Sequence, residues 1–219
     1  MPTLAIIHTT PATIDTLKAL AAELLPGYDV VNIVDDSVLP QLIRNGGDVS
    51  EVQGRLVQYA RNAAEVGADV ILEACSSVGE VVAQMRAAVD VPVVRIDEAM
   101  AEEAVRRGTR IGVAATLPTT LNPTVRLLQA KSAEAGKRLD IQTALAESAY
   151  RKLMAGDRDG HDADLLEVLT ALAEDVDVVV LAQASMARVL ARMPEAQQRK
   201  FLSSPRLGME RVRDVVGES

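Results

Sequence analysis

Two stretches of this chain repeat each other about half a chain apart, and that constrains the fold more than any single motif. Asp69-Val70-Ile71-Leu72-Glu73-Ala74-Cys75-Ser76-Ser77 aligns with Asp177-Val178-Val179-Val180-Leu181-Ala182-Gln183-Ala184-Ser185. Upstream of each, Ile6-Ile7-His8-Thr9-Thr10-Pro11-Ala12-Thr13 aligns, with a slip of one residue, with the stretch from Ala114 to Thr120. Downstream, Pro92 to Asp97 aligns with Lys200 to Pro205. Three segments in one order at a nearly constant offset imply two copies of one unit, because a solenoid needs shorter and more numerous repeats. Each copy, at about 100 residues, is long enough to bury its own core. We expect residues 1–97 to form a first half, completed by a C-terminal helix over 205–219, and residues 98–204 to form a second. A pseudo-twofold axis would relate them.

The repeated unit is α/β. Near-continuous runs of Val, Ile and Leu predict strands over 4–7, 30–34, 70–74, 91–96, 110–115, 139–144 and 178–182, the pattern of parallel strands covered on both faces. Apolar residues at helical spacing lie between them. Over 13–25, Ile14, Leu17, Leu20, Ala21 and Leu24 share one face, and 53–66, 78–88, 98–107, 120–135, 162–175 and 185–192 read similarly. Gly27, Gly67, Gly108 and Gly136 stand where helix C-terminal caps belong. Alternating strand and helix builds a Rossmann-like parallel sheet in each half.

Composition excludes several classes of function. With 31 acidic against 23 basic residues and a net charge of −8, the chain is unsuited to nucleic acid, whose phosphates are met by Lys and Arg. One Phe, three Tyr and no Trp leave little surface for stacking on bases. No apolar run approaches the ~20 residues of a membrane-spanning helix, and the N-terminus lacks the pattern of a signal peptide. A single cysteine allows no internal disulfide, so we expect a soluble, cytoplasmic protein that uses neither nucleic acid nor membrane as a partner. No GxGxxG follows a strand and no GxxxxGK[ST] occurs, which leaves nucleotide cofactors without support. Two histidines and one cysteine, in no HExxH or CxxC pattern, leave a metal centre without support too.

In parallel α/β sheets, ligands bind beyond the carboxyl ends of the strands. Those ends carry His8-Thr9-Thr10, Cys75-Ser76-Ser77, Thr116 with Thr119-Thr120, Glu147-Ser148 and Gln183-Ala184-Ser185. Cys75 ends a buried strand and opens a helical stretch, where free backbone N–H groups and the helix dipole favour a thiolate. A lone cysteine is often just a small buried hydrophobe, but hydroxyl neighbours argue for a nucleophile or an acid–base group. Thr9, Thr10, Ser76, Ser77, Thr116, Thr120, Gln183 and Ser185 are the candidate substrate-binding residues. Small polar side chains at helix starts cap the helix or leave N–H groups facing an anion, which suits a small carboxylate. If the halves face each other, Cys75 and the Gln183/Ser185 turn stand on opposite walls. His8 is a candidate proton carrier or a structural histidine. Glu73, two residues before Cys75 and on the same face of the strand, is a second candidate carrier. His161, in a polar turn, reads as a surface residue.

Taken in order, Ile6-Ile7-His8-Thr9-Thr10-Pro11, Glu73-Ala74-Cys75-Ser76-Ser77, the stretch Arg110 to Thr120, and Asp177 through Ser185 resemble the aspartate/glutamate/hydantoin racemase superfamily. The likeness runs over nearly the whole chain. It implies two similar α/β domains, an active site in the cleft between them, and no cofactor. It also implies two cysteines, one per domain, that remove and return the α-proton of a carboxylate-bearing substrate from opposite faces. Cys75 falls on the first position. At the second, where family members often carry Gly-Cys-Thr, this chain has Ala182-Gln183-Ala184-Ser185, and neither a carboxamide nor a methyl group exchanges a proton. A one-cysteine layout resembles the arylmalonate decarboxylase and maleate isomerase branches, although the decarboxylases carry their thiol on the other half.

The leading expectation is a cofactor-independent isomerase or lyase acting at the carbon adjacent to the carboxylate of a small acid. Cys75 would serve as acid–base group or as nucleophile. Two alternatives stand beside it: a racemase with a non-cysteine second base, and a small-carboxylate binding protein that lost its chemistry with the second thiol. Ala- and Val-rich helices would suit a homo-oligomer.

Overall fold

The computed structural model describes residues 1–217, so the last two positions of the expected 205–219 helix lie outside the described residues. The chain divides into two compact units. One runs from Met1 to Glu98 and is joined by the stretch that begins at Pro205; the other runs from Ala99 to Ser204.

In the first unit, strands β1 (Thr3–His8), β2 (Asp29–Val34), β3 (Val70–Glu73) and β4 (Val93–Arg95) form a parallel sheet in the order β2-β1-β3-β4. Helices α1 (Ile14–Leu24), α2 (Val38–Arg44), α3 (Ser50–Glu65) and α4 (Val82–Ala88) follow the strands. Side chains alternate across the sheet. Ala5, Ile7 and Ile71 pack with Val38 and Leu42 of α2, Val52, Leu56 and Ala60 of α3 and Met85 of α4. Leu4, Ile6, Leu72 and Val94 pack on the opposite face with Leu17 and Ala21 of α1 and with Met209 and Val212 of the C-terminal helix.

The second unit repeats the plan. Strands β5 (Arg110–Ala115), β6 (Asp140–Leu145), β7 (Val178–Leu181) and β8 (Phe201–Ser203) stand in the order β6-β5-β7-β8, all parallel. Its helices are α5 (Glu98–Arg107), α6 (Pro118–Glu134), α7 (Glu147–Met154), α8 (Arg158–Glu174) and the short α9 (Glu195–Gln198). The C-terminal helix, α10 (Ser204–Gly217), returns to the first unit. It approaches closely at Gly208, where a Cβ would stand 2.6 Å from the Ile96 carbonyl oxygen.

Strand registers match across the copies. Ile7 pairs with Glu73 as Ala114 pairs with Leu181, and Glu73 pairs with Arg95 as Leu181 pairs with Ser203. Each sheet is also tied at its amino end by one aspartate. Asp69 Oδ2 accepts the Thr3 N–H at 2.6 Å, and Asp177 Oδ2 accepts the Thr109 and Arg110 N–H groups at 3.0 and 2.9 Å.

Several local expectations change. The repeat aligns Lys200 to Pro205 with a strand, but only the structure shows β8 there; α2, α7 and α9 are likewise additions. The helix expected over 78–88 begins as a 3-10 turn, Ser76–Val81, and the one expected over 185–192 is 3-10 throughout, Ala184–Arg192. Gly108 does not take the left-handed conformation of Gly27, Gly67 and Gly136. It is held to glycine by space instead, since a Cβ there would lie 2.5 Å from Asp177 Cβ. His161 is buried inside α8 rather than on the surface. Its Nδ1 lies 2.8 Å from Asp162 Oδ1, and Arg188 pairs with that same oxygen at 2.7 Å.

Candidate active site

Alternation places Glu73, Arg95 and Asp97 on the α3/α4 side of the first sheet, beyond Ile71 and Val93. Thr9 and Cys75 extend that side past the ends of β1 and β3. The carboxyl edge of one sheet face thus gathers a hydroxyl, a thiol, two carboxyls and a guanidinium.

Cys75 has an extended backbone and opens the 3-10 turn Ser76–Val81. The residue is partly exposed. Its N–H donates to Glu73 Oε1 at 2.7 Å. Burial of the sulfur, and next the negative charge of Glu73, push the thiol up to about 12. Hydrogen bonding from Thr9 and from the Ser77 N–H and hydroxyl works the other way, favouring a charged sulfur. Thr9 Oγ1 is buried without a hydrogen-bond partner among the described residues. The resting sulfur is therefore a thiol. A strand-to-helix junction alone suggests a thiolate; the adjoining turn is 3-10 rather than α, and a carboxyl group lies beside it.

Glu73 is fully buried. Burial first, then the charge of Asp97, hold its carboxyl well above the usual carboxylate range, against the Cys75 N–H and the charge of Arg95. Asp97, also fully buried, is gripped by Arg95 through two bonds, Nε–Oδ1 at 2.6 Å and Nη2–Oδ2 at 3.1 Å. The guanidinium lies flush on Gly79, where a Cβ would stand 2.7 Å from Nη2.

His8 belongs elsewhere. Following Ile6 in alternation, it points to the α1 side of the sheet. Its Nε2 faces Asn32 Oδ1 at 2.9 Å and its Nδ1 faces the Thr13 hydroxyl at 3.0 Å. Asn32 Oδ1 only accepts, so Nε2 carries the proton and Nδ1 accepts from Thr13. Burial lowers its pKa below the ordinary histidine value, opposed by the bond to Asn32. Both ring nitrogens are thus engaged away from the sulfur. Thr10 caps the turn Pro11–Thr13 by accepting the Ala12 N–H at 3.3 Å, while Ser76 and Ser77 are buried in the turn after Cys75.

In the second unit, Gln183 occupies the place of Cys75. Its Oε1 accepts from the Thr116 N–H at 2.7 Å and from the Thr116 hydroxyl at 3.0 Å, and Thr116 is the counterpart of Thr9. Thr120 is buried, its carbonyl accepting from the Thr124 hydroxyl at 2.9 Å, whereas Ser185 is exposed. The register puts Leu181 where Glu73 stands and Ser203 where Arg95 stands, and the repeat puts Pro205 at Asp97. Arg95 and Asp97 are the site residues that sequence reasoning passed over. Their signal was available: two charges close a buried strand whose copy ends in serine and proline. Among the described residues, no three His, Cys, Asp or Glu side chains converge to hold a metal, and no helix is long and apolar enough to cross a membrane.

Two four-stranded parallel sheets of matching topology, each with polar residues at its carboxyl edge, define an α/β fold of the racemase type. Solved structures share it. Glutamate racemase RacE1 from Bacillus anthracis superposes with a TM-score of 0.77 at 15% identity, covering 99% of this chain and 82% of that one. An allantoin racemase from Klebsiella pneumoniae gives 0.69 at 17%, covering 100% and 89%. An aspartate racemase homologue from Pyrococcus horikoshii gives 0.72 at 16%, covering 100% of each. At such identities the likeness is one of fold. No curated protein sequence matches the chain at a significant level. Residues 5–212 match the model of the Asp/Glu/hydantoin racemases. The chain belongs to that family, a family of isomerase enzymes.

Proposed function

We propose that this protein is a cofactor-independent isomerase acting at the carbon adjacent to the carboxylate of a small acid, with Cys75 as the group that meets that carbon. Residues 1–97 with the C-terminal helix, and residues 98–204, are its two domains. The observation that carries this reading is the sulfur's setting: a partly exposed thiol ringed by Thr9, Ser77 and a buried carboxyl. Removing an α-proton sends charge into the substrate carboxylate, and donors aimed at that charge lower the barrier. Thr9, Ser76 and Ser77 are the donors at hand in the first unit. In the second, Thr116 holds Gln183 by its oxygen, leaving the amide N–H groups to bind a carboxylate. Gln183 itself binds but exchanges no proton, so one thiol does the work that two do in the family's racemases. A variant of the same reading has Cys75 adding to the substrate carbon as a nucleophile.

The test is proton exchange in heavy water. The protein is incubated with small amino, hydroxy and aryl-substituted dicarboxylates and with hydantoins, and the α-position is followed by NMR. Exchange on one of these compounds should fall by about 10²–10⁴-fold in Cys75→Ala. Unchanged exchange in that variant would sink the reading. A second reading, a small-carboxylate binding protein, is favoured by Gln183 in the second thiol position. It predicts that a ligand raises the melting temperature of both the native chain and Cys75→Ser while neither turns it over.

A further inference from the structure

The strand that delivers Cys75 carries a buried carboxyl group that the fold does not require. Glu73 is fully buried, and its Oε1 accepts the Cys75 N–H at 2.7 Å. Sγ is three bonds from that nitrogen, so the oxygen lies within about 7 Å of the sulfur. Glu73 Oε2 is buried with no hydrogen-bond partner among the described residues, a costly arrangement that calls for a reason. The duplication supplies a control. At the same register the second sheet buries Leu181, which offers no acceptor to the N–H of Gln183. Cys75 and Gln183 nevertheless both open a 3-10 turn from an extended backbone. The turn forms without the acid, and only the copy with the thiol carries it.

We propose that Glu73 is a positioning residue for Cys75: Oε1 clamps the N–H that opens the turn, and the carboxyl, by taking the first negative charge of the pair, holds the sulfur as a thiol. The inference rests on the reading of Cys75 given above. Two acids this close and away from water take one negative charge far more readily than two. At an effective dielectric near 20, a unit charge about 7 Å away suppresses the second ionisation by more than about tenfold. After burial, the charge of Glu73 is the next cause that pushes the thiol up to about 12. While the carboxyl is uncharged, Oε1 is its carbonyl oxygen, engaged by the N–H, and the proton sits on Oε2. No proton passes between the two side chains. The carboxyl acts on the sulfur through the backbone N–H and through its charge.

The charged or titratable groups that act on Glu73 are Cys75, Asp97 and Arg95, with Glu98 beyond Arg95. Arg95 and Asp97 pair with each other. On α3, Arg55 and Tyr59 are engaged by Asp35 at 2.8 and 2.7 Å. On α4, Arg86 is engaged by Glu98 and by the Val93 carbonyl. The rest of that face is apolar, with Ala5 and Ile7 from β1, Leu56 and Ala60 from α3, and Val78 and Val81 from the turn. Of these charges, that of Glu73 bears most on the sulfur.

Because Cys75 is the only cysteine, iodoacetamide alkylation reads this thiol alone. Its rate is measured against pH on the full chain, on Glu73→Gln, which keeps the oxygen acceptor and removes the charge, and on Glu73→Leu, which removes both. The ratio of Glu73→Gln to native rates should start near one at the acid end, where the native carboxyl is uncharged. It should rise about tenfold or more as that carboxyl ionises. The native profile should carry a shoulder at the pH where infrared titration finds the carboxyl ionising. A ratio constant with pH overturns the proposal, as does a native profile that rises in a single step, and if either variant does not fold the native profile decides. A merely structural glutamate moves the level of these curves and not their dependence on pH. Amide exchange at Cys75 reads the clamp: about tenfold or more faster in Glu73→Leu and close to native in Glu73→Gln. Equal protection in all three chains overturns it. α-Proton exchange should follow the clamp, kept near neutral pH in Glu73→Gln and slowed about tenfold or more in Glu73→Leu; equal rates overturn the positioning role. Absence of α-proton exchange by the native chain on every compound tested refutes the isomerase reading, while alkylation and amide exchange still decide the pairing.

Discussion

One methyl group at Gly79 should collide with the buried ion pair behind the thiol and displace the turn that carries it. A Cβ there would stand 2.5 Å from Arg95 Cζ and 2.7 Å from Nη2, well inside contact distance. A surface arginine would swing away. Arg95 is pinned, because its side chain is only 10% exposed and two of its nitrogens hold Asp97. If the guanidinium yields, Asp97 is left as an unpaired buried charge, at a cost of about 3–5 kcal/mol. If the turn shifts instead, overpacking costs about 1–3 kcal/mol. The chain takes the cheaper route, so we expect Gly79→Ala to lose about 1–3 kcal/mol and, for a chain of this size, about 2–4 °C of melting temperature per kcal/mol. Urea unfolding followed by circular dichroism, on a cycle of the native chain, Gly79→Ala, Arg95→Ala and the double variant, isolates the cause. With Arg95 trimmed, the methyl has room, and Gly79→Ala should cost less than about 0.5 kcal/mol. Equal costs in both backgrounds would refute the reasoning, as would a Gly79→Ala protein as stable as the native one.

Three further outcomes follow from the same geometry. Glu73 has a folded pKa raised above its ordinary 4.5, so its stabilising effect is complete below that value. It is lost as pH rises towards the folded value, because the unfolded chain gives up a proton that the folded chain keeps. Glu73→Gln should flatten this decline, gaining on the native chain as pH rises to neutral in urea midpoints; parallel curves would disprove it. Gly208→Ala sets two effects of opposite sign against each other: helix propensity favours alanine by about 1 kcal/mol, but the new Cβ meets backbone, the Ile96 oxygen, at 2.6 Å. We expect net destabilisation and faster amide exchange along α10, and a stabilised variant would show that the helix slides freely. Gln183→Cys restores a thiol at the family's second position. Chiral chromatography should then show faster interconversion of enantiomers than the native chain gives, and an unchanged rate would disprove a role for this position.

Much of the architecture was legible because its signals are local. The runs at 70–74 and 178–182 read as buried strands from their apolar continuity, and the duplication made each a check on the other. What escaped depends on partners distant in sequence. Phe201–Ser203 is too short to show any periodicity and becomes a strand only by pairing with β7. Val78, Val81, Val82 and Met85 fit an α-helix and a 3-10 entry equally well. His161 follows Asp157-Arg158-Asp159-Gly160, a surface-like sequence, but Arg188 and Arg192, well downstream, bring their charges to Asp162 and help close over it. His8 sat at the right strand end, but the alternation that carries Ile6 inward aims His8 at Asn32 and Thr13.

The two copies also separate what the fold demands from what the chemistry demands. Asp69 and Asp177 tie down the amino ends in both. Thr9 and Thr116 stand beside the first residue of the turn in both. These features are common to both copies. Four positions differ together: Glu73 against Leu181, Cys75 against Gln183, Arg95 against Ser203, Asp97 against Pro205. All four lie at the carboxyl edge of one sheet, where parallel α/β proteins place their ligands. The ion-pair network thus belongs to the copy that carries the thiol and not to the fold that both copies share. It is kept where the thiol is kept, and where glutamine replaces the thiol the same layer of the sheet carries leucine, serine and proline.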